Sequence, residues 1–253
     1  LEGYCSDITR TFPVSGGYSP QQKAVYDVVL SAPEAAVTAA APGVTNESLQ
    51  QAVAQEGFFW PPDPTSAAAC TVGGNLAYNA AGPRAVKYGT PRENTLGLRA
   101  VTGAAEPIRT GVSTTKGVVG YDLTRLIIGS EGTLALITEA TLKLTPLPEA
   151  KRTLRATYGD IHAAAAAVAA IMSLSVIPCA LEFMDGAAIE MVRAFSDLGL
   201  PPGTGALLMI EVDGPAHCID EAAKAVALAA GNAGLKDLHT AADAAEIAAL
   251  WKT

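Results

Sequence analysis

Two glycine-containing segments constrain the fold of this chain more than any other feature. They are residues 70–82, CTVGGNLAYNAAG, and residues 129–134, GSEGTL. Gly73 and Gly74 stand where a predicted strand passes into a helix beginning near Asn75. Glycine there lets backbone N–H groups approach an anionic or polar ligand closely. A tight turn that binds no ligand is an equally good interpretation of this first segment.

The second segment favours ligand binding. It is predicted to join a helix over residues 121–128 to a strand over residues 134–144. The hydroxyls of Ser130 and Thr133, together with the bare glycine backbone, suit the polar atoms of a ribityl, ribose or isoalloxazine group. Glu131 has two interpretations, a hydrogen bond to a cofactor or one to the backbone. Two such loops in this order favour a bound ligand, with a phosphate or a flavin edge as the candidates.

Apolar periodicity and turn residues predict the remaining elements. A strand over residues 4–14 and a helix over residues 20–41 open the chain, Asn46 caps the next helix, and Pro146 and Pro148 mark a linker. The alternation of strands and helices after the linker predicts an α+β sandwich with its helices on one sheet face. The further predicted strands lie over residues 96–102, 107–111, 152–158, 178–184 and 206–212, and the further helices over residues 46–54, 161–173, 187–195 and 219–233.

Composition excludes several classes of protein. The net charge is −8 and the pI is about 4.9, and no run of Lys or Arg offers a surface for phosphates, so nucleic acid is not an expected partner. The longest apolar stretches are shorter than the ~20 residues that cross a bilayer, which predicts a cytoplasmic protein without a membrane span. The cysteines are far apart and form no Cys-x-x-Cys pair, which predicts neither disulfides nor a metal cluster.

Residues 61–64 (PPDP), together with the two glycine segments, resemble the FAD-linked oxidase family that includes the glycolate oxidase D subunit and D-lactate dehydrogenases. The resemblance covers about residues 42–253. It implies an α+β fold, with a partial FAD-binding domain of the vanillyl-alcohol-oxidase-like, PCMH type followed by a truncated ferredoxin-like substrate domain. It also implies that FAD is the cofactor. The positions that it implies to face FAD are Pro62, Asp63, Gly73, Gly74, Asn79, Gly82, Gly129, Ser130, Gly132 and Thr133.

Residues 3–14, GYCSDITRTFPV, resemble instead the metal-binding half of Xaa-Pro aminopeptidases of the pita-bread fold, over about residues 1–45. Asp7 matches one metal-bridging carboxylate of that family, but the other ligands have no counterpart, so no metal site is predicted. Both families carry a turn like Pro42-Gly43-Val44-Thr45 near this place. The chain is therefore interpreted as a fusion, with an aminopeptidase-like fragment over 1–45, the second part of an FAD-binding domain over 46–148 and a C-terminal substrate domain over 149–253.

The oxidase resemblance implies oxidation of a D-2-hydroxy acid, of the glycolate or D-lactate class, by hydride transfer to flavin. It further implies that the family's pyrophosphate loop and its His-x-Gly-Asp-Gly-Asn-x-His segment have no counterpart here, so the enzyme would be fragmentary and no catalytic residue is named. An iron–sulfur partner subunit is implied by the family. The alternatives are a fragment of a metal-dependent Xaa-Pro aminopeptidase and a non-catalytic fusion product.

Overall fold

A computed structural model of the protein describes residues 43–112, 117–195 and 199–251. The predicted strand over 4–14 and helix over 20–41, with Asp7, lie outside these residues. The chain divides into two compact units, Leu1–Leu147 and Pro148–Thr253, next to the predicted proline linker.

The described part of the first unit carries short helices around two small sheets. Strand β1 pairs antiparallel with β5, and β3, β2 and β4 form a three-stranded antiparallel sheet in that order. The helices are α1 (Asn46–Ala54), α2 (Val72–Tyr78), α3 (Ala85–Tyr88) and α4 (Leu123–Ile127), and the strands are β1 (Phe58–Phe59), β2 (Thr95–Thr102), β3 (Pro107–Gly111), β4 (Ala135–Leu142) and β5 (Thr145–Pro146).

The predicted strands over residues 96–102 and 107–111 are confirmed, and they pair antiparallel as β2 and β3. Leu98 lies opposite Thr110 on β3 and opposite Ala140 on β4. Alternate residues of β2 therefore face a shared core, because successive side chains of a strand point to opposite sides of the sheet. That core also contains Leu76 of α2, so the sheet fixes the position of this helix.

The predicted capping role of Asn46 is wrong. Thr45 is the N-cap of α1, and its side chain accepts a hydrogen bond from the Ser48 N–H. Asn46 is fully buried, and its side-chain amide donates to the carbonyl of Pro62 at 3.2 Å. A buried amide needs such a partner, so Asn46 connects α1 to the Pro62 loop instead.

The second unit is a four-stranded antiparallel sheet in the order β7-β8-β6-β9. This is the strand order of a βαββαβ unit, here with an additional helix between its second and third strands. The strands are β6 (Ala150–Tyr158), β7 (Ala180–Asp185), β8 (Ala206–Gly214) and β9 (Leu235–Thr240), and the helices are α5 (Ile161–Met172), α6 (Gly186–Arg193), α7 (Ile219–Ala230) and α8 (Ala244–Leu250).

The predicted placement of all helices on one sheet face is wrong. Leu208 and Ile210 of β8 share a core with α5 and α7. Their neighbours Leu207 and Met209 point to the opposite face and share a second core with Ile189 of α6. Because β8 is apolar on both faces, the sheet has to be covered on both sides.

Candidate cofactor site

The first glycine pair lies inside α2, which begins at Val72 and not near Asn75. Thr71 is its N-cap, and the Thr71 hydroxyl accepts a hydrogen bond from the Gly74 N–H at 3.0 Å. That N–H group is therefore used within the protein. Gly73 is different, because a Cβ atom added there would meet no atom within 4 Å. Of the two predicted glycines, Gly73 therefore has open space next to its Cα atom.

The second glycine segment meets the opposite end of the same helix. Asn79 ends α2 in a left-handed conformation with φ of 56°. The carbonyl of Leu76 accepts from the Gly129 N–H at 2.9 Å, and the carbonyl of Ala77 accepts from the Glu131 N–H at 3.0 Å. The carbonyls of a helix's last turn have no partner within the helix, and the loop supplies the missing donors. One short helix thus joins the two predicted glycine motifs.

The loop has an unusual backbone and one unpaired hydroxyl. Gly129, Glu131 and Gly132 have φ of 81°, 54° and 75°, and the left-handed conformation at Glu131 costs roughly 1–2 kcal/mol. The N–H and hydroxyl of Thr133 both donate to the Ser130 carbonyl, at 3.0 and 2.6 Å. The hydroxyl oxygen of Ser130 is buried and has no hydrogen-bond partner among the described residues. Ser130 is therefore the loop side chain left for a ligand.

Pro62, Asp63 and Gly82 form a second group of predicted site residues. The N–H of Asp63 donates to the carbonyl of Ala81 at 2.8 Å. Gly82 has φ of 79°, and a Cβ atom there would lie 2.7 Å from the Pro64 nitrogen and closer still to the Asp63 carbonyl. Real Cβ atoms essentially never approach within 3.0 Å, so only glycine permits this contact between the two turns.

The structure therefore places eight of the ten predicted positions in two groups, while Gly73 and Gly74 lie on α2, in the segment that connects them. Asn79 lies against the loop over residues 129–133, and Asp63 lies against Gly82. The chain from Thr71 to Gly82, which includes α2, connects the groups. The sequence predicted these segments as the cofactor-binding segments, and the backbone hydrogen bonds show how the segments are joined to one another.

Arg92, which follows Lys87 of α3 in the chain, lies between α3 and β2. Its guanidinium donates from Nε and Nη2 to the carbonyl of Ile128, at 3.1 and 3.0 Å. Lys87 Nζ instead lies 5.2 Å from the ring centre of Tyr88. The contact of Arg92 is with the residue that precedes Gly129, and nothing in the local sequence indicated this partner.

One carboxylate near Arg92 has a perturbed pKa. Partial burial of Glu93 raises its pKa, but hydrogen bonds from the Thr90 hydroxyl and N–H outweigh this effect, so the pKa is lowered overall. Glu93 therefore stays ionised and holds the turn at Thr90. A general base works best with a pKa near the operating pH, and the lowered pKa of Glu93 lies further from it.

Within residues 43–112, 117–195 and 199–251, no group of three or more His, Cys, Asp or Glu side chains is placed to hold a metal ion. Over the same residues, no helix is long and apolar enough to cross a membrane.

Two family models match the chain. The FAD binding domain model matches residues 22–111, and the model of the C-terminal domain of FAD linked oxidases matches residues 147–253. The two matches together cover most of the chain, which therefore belongs to the FAD-linked oxidases. The predicted cofactor, FAD, is confirmed by these matches.

The curated relatives that match the chain include glycolate oxidase subunits and a D-lactate dehydrogenase. The chain is 41% identical over 210 residues to glycolate oxidase subunit GlcD of Bacillus subtilis, which covers 83% of this chain and 45% of that protein. It is 37% identical over 210 residues to GlcD of Escherichia coli, covering 83% and 42%. It is 38% identical over 178 residues to a D-lactate dehydrogenase of Anaerostipes hadrus, covering 68% and 37%. The chain thus spans less than half the length of these curated relatives.

A solved structure of alkyldihydroxyacetonephosphate synthase has the same fold over 79% of this chain and 39% of its own, with a TM-score of 0.66 and 24% identity. At this identity the similarity establishes the fold alone. The comparisons give no support to the aminopeptidase-like fragment over residues 1–45, and the FAD binding domain match begins inside it at residue 22.

The residues of the first unit fit the cofactor of this family. FAD carries ribityl and ribose hydroxyls and a diphosphate, all of which can pair with a serine hydroxyl. Ser130 offers a buried hydroxyl without a partner, and Gly73 leaves space beside α2.

Proposed function

We propose that this chain is part of an FAD-dependent oxidoreductase that oxidises a D-2-hydroxy acid of the glycolate or D-lactate class. The relatives described above are glycolate oxidase subunits and a D-lactate dehydrogenase, which supports this substrate class. The match of the second unit to the C-terminal domain of FAD linked oxidases supports the same reaction type.

The observation that carries the proposal is the unpaired Ser130 hydroxyl. Leaving a buried polar group without a partner costs about 1–3 kcal/mol. The loop also accepts a left-handed residue at Glu131, which adds to the cost. Such costs concentrate at ligand sites, because the bound ligand offsets them. These two costs in one loop support a role of the loop in binding a cofactor.

The residues of the chain bind and orient, and the cofactor supplies the redox chemistry. A bound FAD would supply the acceptor for the hydride released from the α-carbon of the hydroxy acid, whose hydroxyl proton would leave to a base. Ser130 pairs with a polar cofactor atom, and Gly73 permits close approach to α2. The contact of Asp63 with Gly82 fixes the second turn of the site. The positions that we propose to face FAD are Pro62, Asp63, Gly73, Gly74, Asn79, Gly82, Gly129, Ser130, Gly132 and Thr133.

We further propose that the whole protein works as one subunit of an assembly. The GlcD relatives are named as a subunit of glycolate oxidase, and the family resemblance implies an iron–sulfur partner subunit.

The test is reconstitution of the chain with FAD, followed by gel filtration and a search for flavin absorbance near ~450 nm in the protein peak. Ser130→Ala is compared with Ser66→Ala, whose serine is exposed in the same unit. We expect Ser130→Ala to weaken FAD binding about tenfold and to leave the free protein as stable as the wild type or about 1 kcal/mol more stable, because an unsatisfied hydroxyl is removed. Ser66→Ala should change neither quantity.

A wild-type chain that leaves the column without flavin would overturn the proposal and favour the non-catalytic alternative. Unchanged FAD affinity in Ser130→Ala would refute the argument from the unpaired hydroxyl. Nothing described in the structure favours the peptidase alternative, and manganese-dependent hydrolysis of an Xaa-Pro peptide is the assay that would support it.

A further inference from the structure

We propose that Arg92 is a positioning residue that holds the loop over residues 129–132 in the shape that receives FAD. Arg92 acts through the loop and not through contact with the cofactor. This inference rests on the flavin site proposed above.

The first step is the contact between the guanidinium and the loop. Nε and Nη2 of Arg92 both donate to the carbonyl oxygen of Ile128, at 3.1 and 3.0 Å. Ile128 is fully buried and is the C-cap of α4. Carbonyls at the end of a helix carry a partial negative charge and lack partners within the helix. A cation with two donors is well suited to this oxygen, and it fixes the residue from which the loop starts.

The second step is the backbone of Arg92, which is held on both sides. Its N–H donates to Oδ1 of Asn79 at 3.2 Å, and its carbonyl accepts from Nε of Arg125 at 3.2 Å. Asn79 is the residue that ends α2. Arg92 therefore joins the end of α2 to the end of α4, which are the two helix ends between which the loop lies.

The third step is the close packing of the guanidinium on the loop. A Cβ atom at Gly129 would lie 2.8 Å from Nη2 of Arg92 and 3.2 Å from Cβ of Asn79. Any side chain at position 129 would displace the guanidinium from the Ile128 carbonyl. Glycine is therefore needed at this position for the arginine contact as well as for its φ of 81°.

The final step is the need for such a restraint. A loop with left-handed residues at Gly129, Glu131 and Gly132 persists only when its surroundings over-determine it. The bonds to α2 fix the N–H groups of Gly129 and Glu131, and Arg92 fixes the preceding carbonyl. Without Arg92 the loop keeps its bonds to α2 but loses the restraint on the preceding carbonyl, so Ser130 is held less firmly in place for the cofactor.

The test measures loop order and cofactor affinity separately, in the full chain. Amide hydrogen exchange is followed in the flavin-free protein for a peptide covering residues 128–133, and the FAD dissociation constant is measured by titration. The variants are Arg92→Ala and Arg92→Lys. Arg99→Ala is the control, because it removes an exposed arginine, paired with Glu139 at 3.4 Å, from the same unit.

We expect Arg92→Ala to increase exchange at the loop amides and to weaken FAD binding about tenfold, the effect of losing roughly 1.4 kcal/mol. Arg92→Lys, which keeps the charge but loses the paired Nε and Nη2 donors, should fall between wild type and Arg92→Ala in both measurements. Arg99→Ala should match wild type in both.

Unchanged exchange in Arg92→Ala would overturn the inference, and so would increased exchange with unchanged FAD affinity. Full recovery of FAD affinity in Arg92→Lys without recovery of loop protection would also overturn it, because charge alone would then explain binding. A wild-type chain that binds no FAD overturns the proposed function, while the exchange comparison still decides whether Arg92 orders the loop.

Discussion

Replacing Gly82 by alanine tests how the turn at Asp63 is built. An alanine at a left-handed φ costs roughly 1–2 kcal/mol, and Gly82 has φ of 79°. The new Cβ would also lie 2.7 Å from the Pro64 nitrogen and still closer to the Asp63 carbonyl. The clash forces backbone displacement, for which about 1–3 kcal/mol is typical. We therefore expect Gly82→Ala to lose about 3 kcal/mol of unfolding free energy.

Gly57→Ala is the matched control. Gly57 has φ of 80°, but a Cβ atom there would meet no atom within 4 Å, so we expect a loss of only about 1 kcal/mol. The chain has two tryptophans. In a Trp251→Phe background, the fluorescence of the fully buried Trp60 reports unfolding of the unit that contains both glycines. Equal losses in the two variants would refute the argument that the contact with Asp63 is decisive.

Two further predictions concern the second unit. Burial raises the pKa of Tyr158 to about 12, and its hydroxyl donates to the Ala230 carbonyl at 2.9 Å. Tyr158→Phe should therefore lower the free energy of unfolding by about 1–3 kcal/mol in urea denaturation, because this hydrogen bond is lost. An unchanged denaturation midpoint would contradict this. Hydrogen bonds from the Ala242 N–H and from His239 lower the pKa of Glu246 below its usual 4.5. A lowered carboxylate pKa stabilises the folded state above the unfolded-state pKa, and this contribution is lost as pH falls through the folded-state pKa. The Tm of the wild type should therefore fall more than the Tm of Glu246→Gln between about pH 6 and about pH 3. Parallel Tm profiles would show that these hydrogen bonds do not contribute to stability.

The accuracy of the sequence predictions depended on how local their physical cause was. The end of the first described helix at Ala54 and both bounds of the strand over Pro107–Gly111 were predicted correctly, because turn residues and periodicity are properties of neighbouring positions. The capping of α1 was assigned to Asn46 and not to Thr45, because Asn and Thr are both good caps. Only the burial of Asn46 against Pro62 distinguishes them.

In the second unit, too, the local sequence predicted the elements but not how they pack. The strand over residues 206–212 was recognised from its apolar run, but its helices were placed on one face. The sequence of β8 is apolar at every position from Ala206 to Ile210. Such a run predicts burial without saying which helix covers which side. Contacts between segments distant in the chain decided that Ile189 covers the face opposite Leu208.

The sequence by itself predicted the segments that we propose as the cofactor site, because the need for glycine and for hydroxyls depends on residue type. Only the tertiary structure decided that Gly129 and Glu131 pair with the end of α2, that Gly82 contacts Asp63 and that Arg92 holds the Ile128 carbonyl. These contacts join residues far apart in the chain. Each contact depends on where packing of the core places the helix ends, and the local sequence does not predict that position.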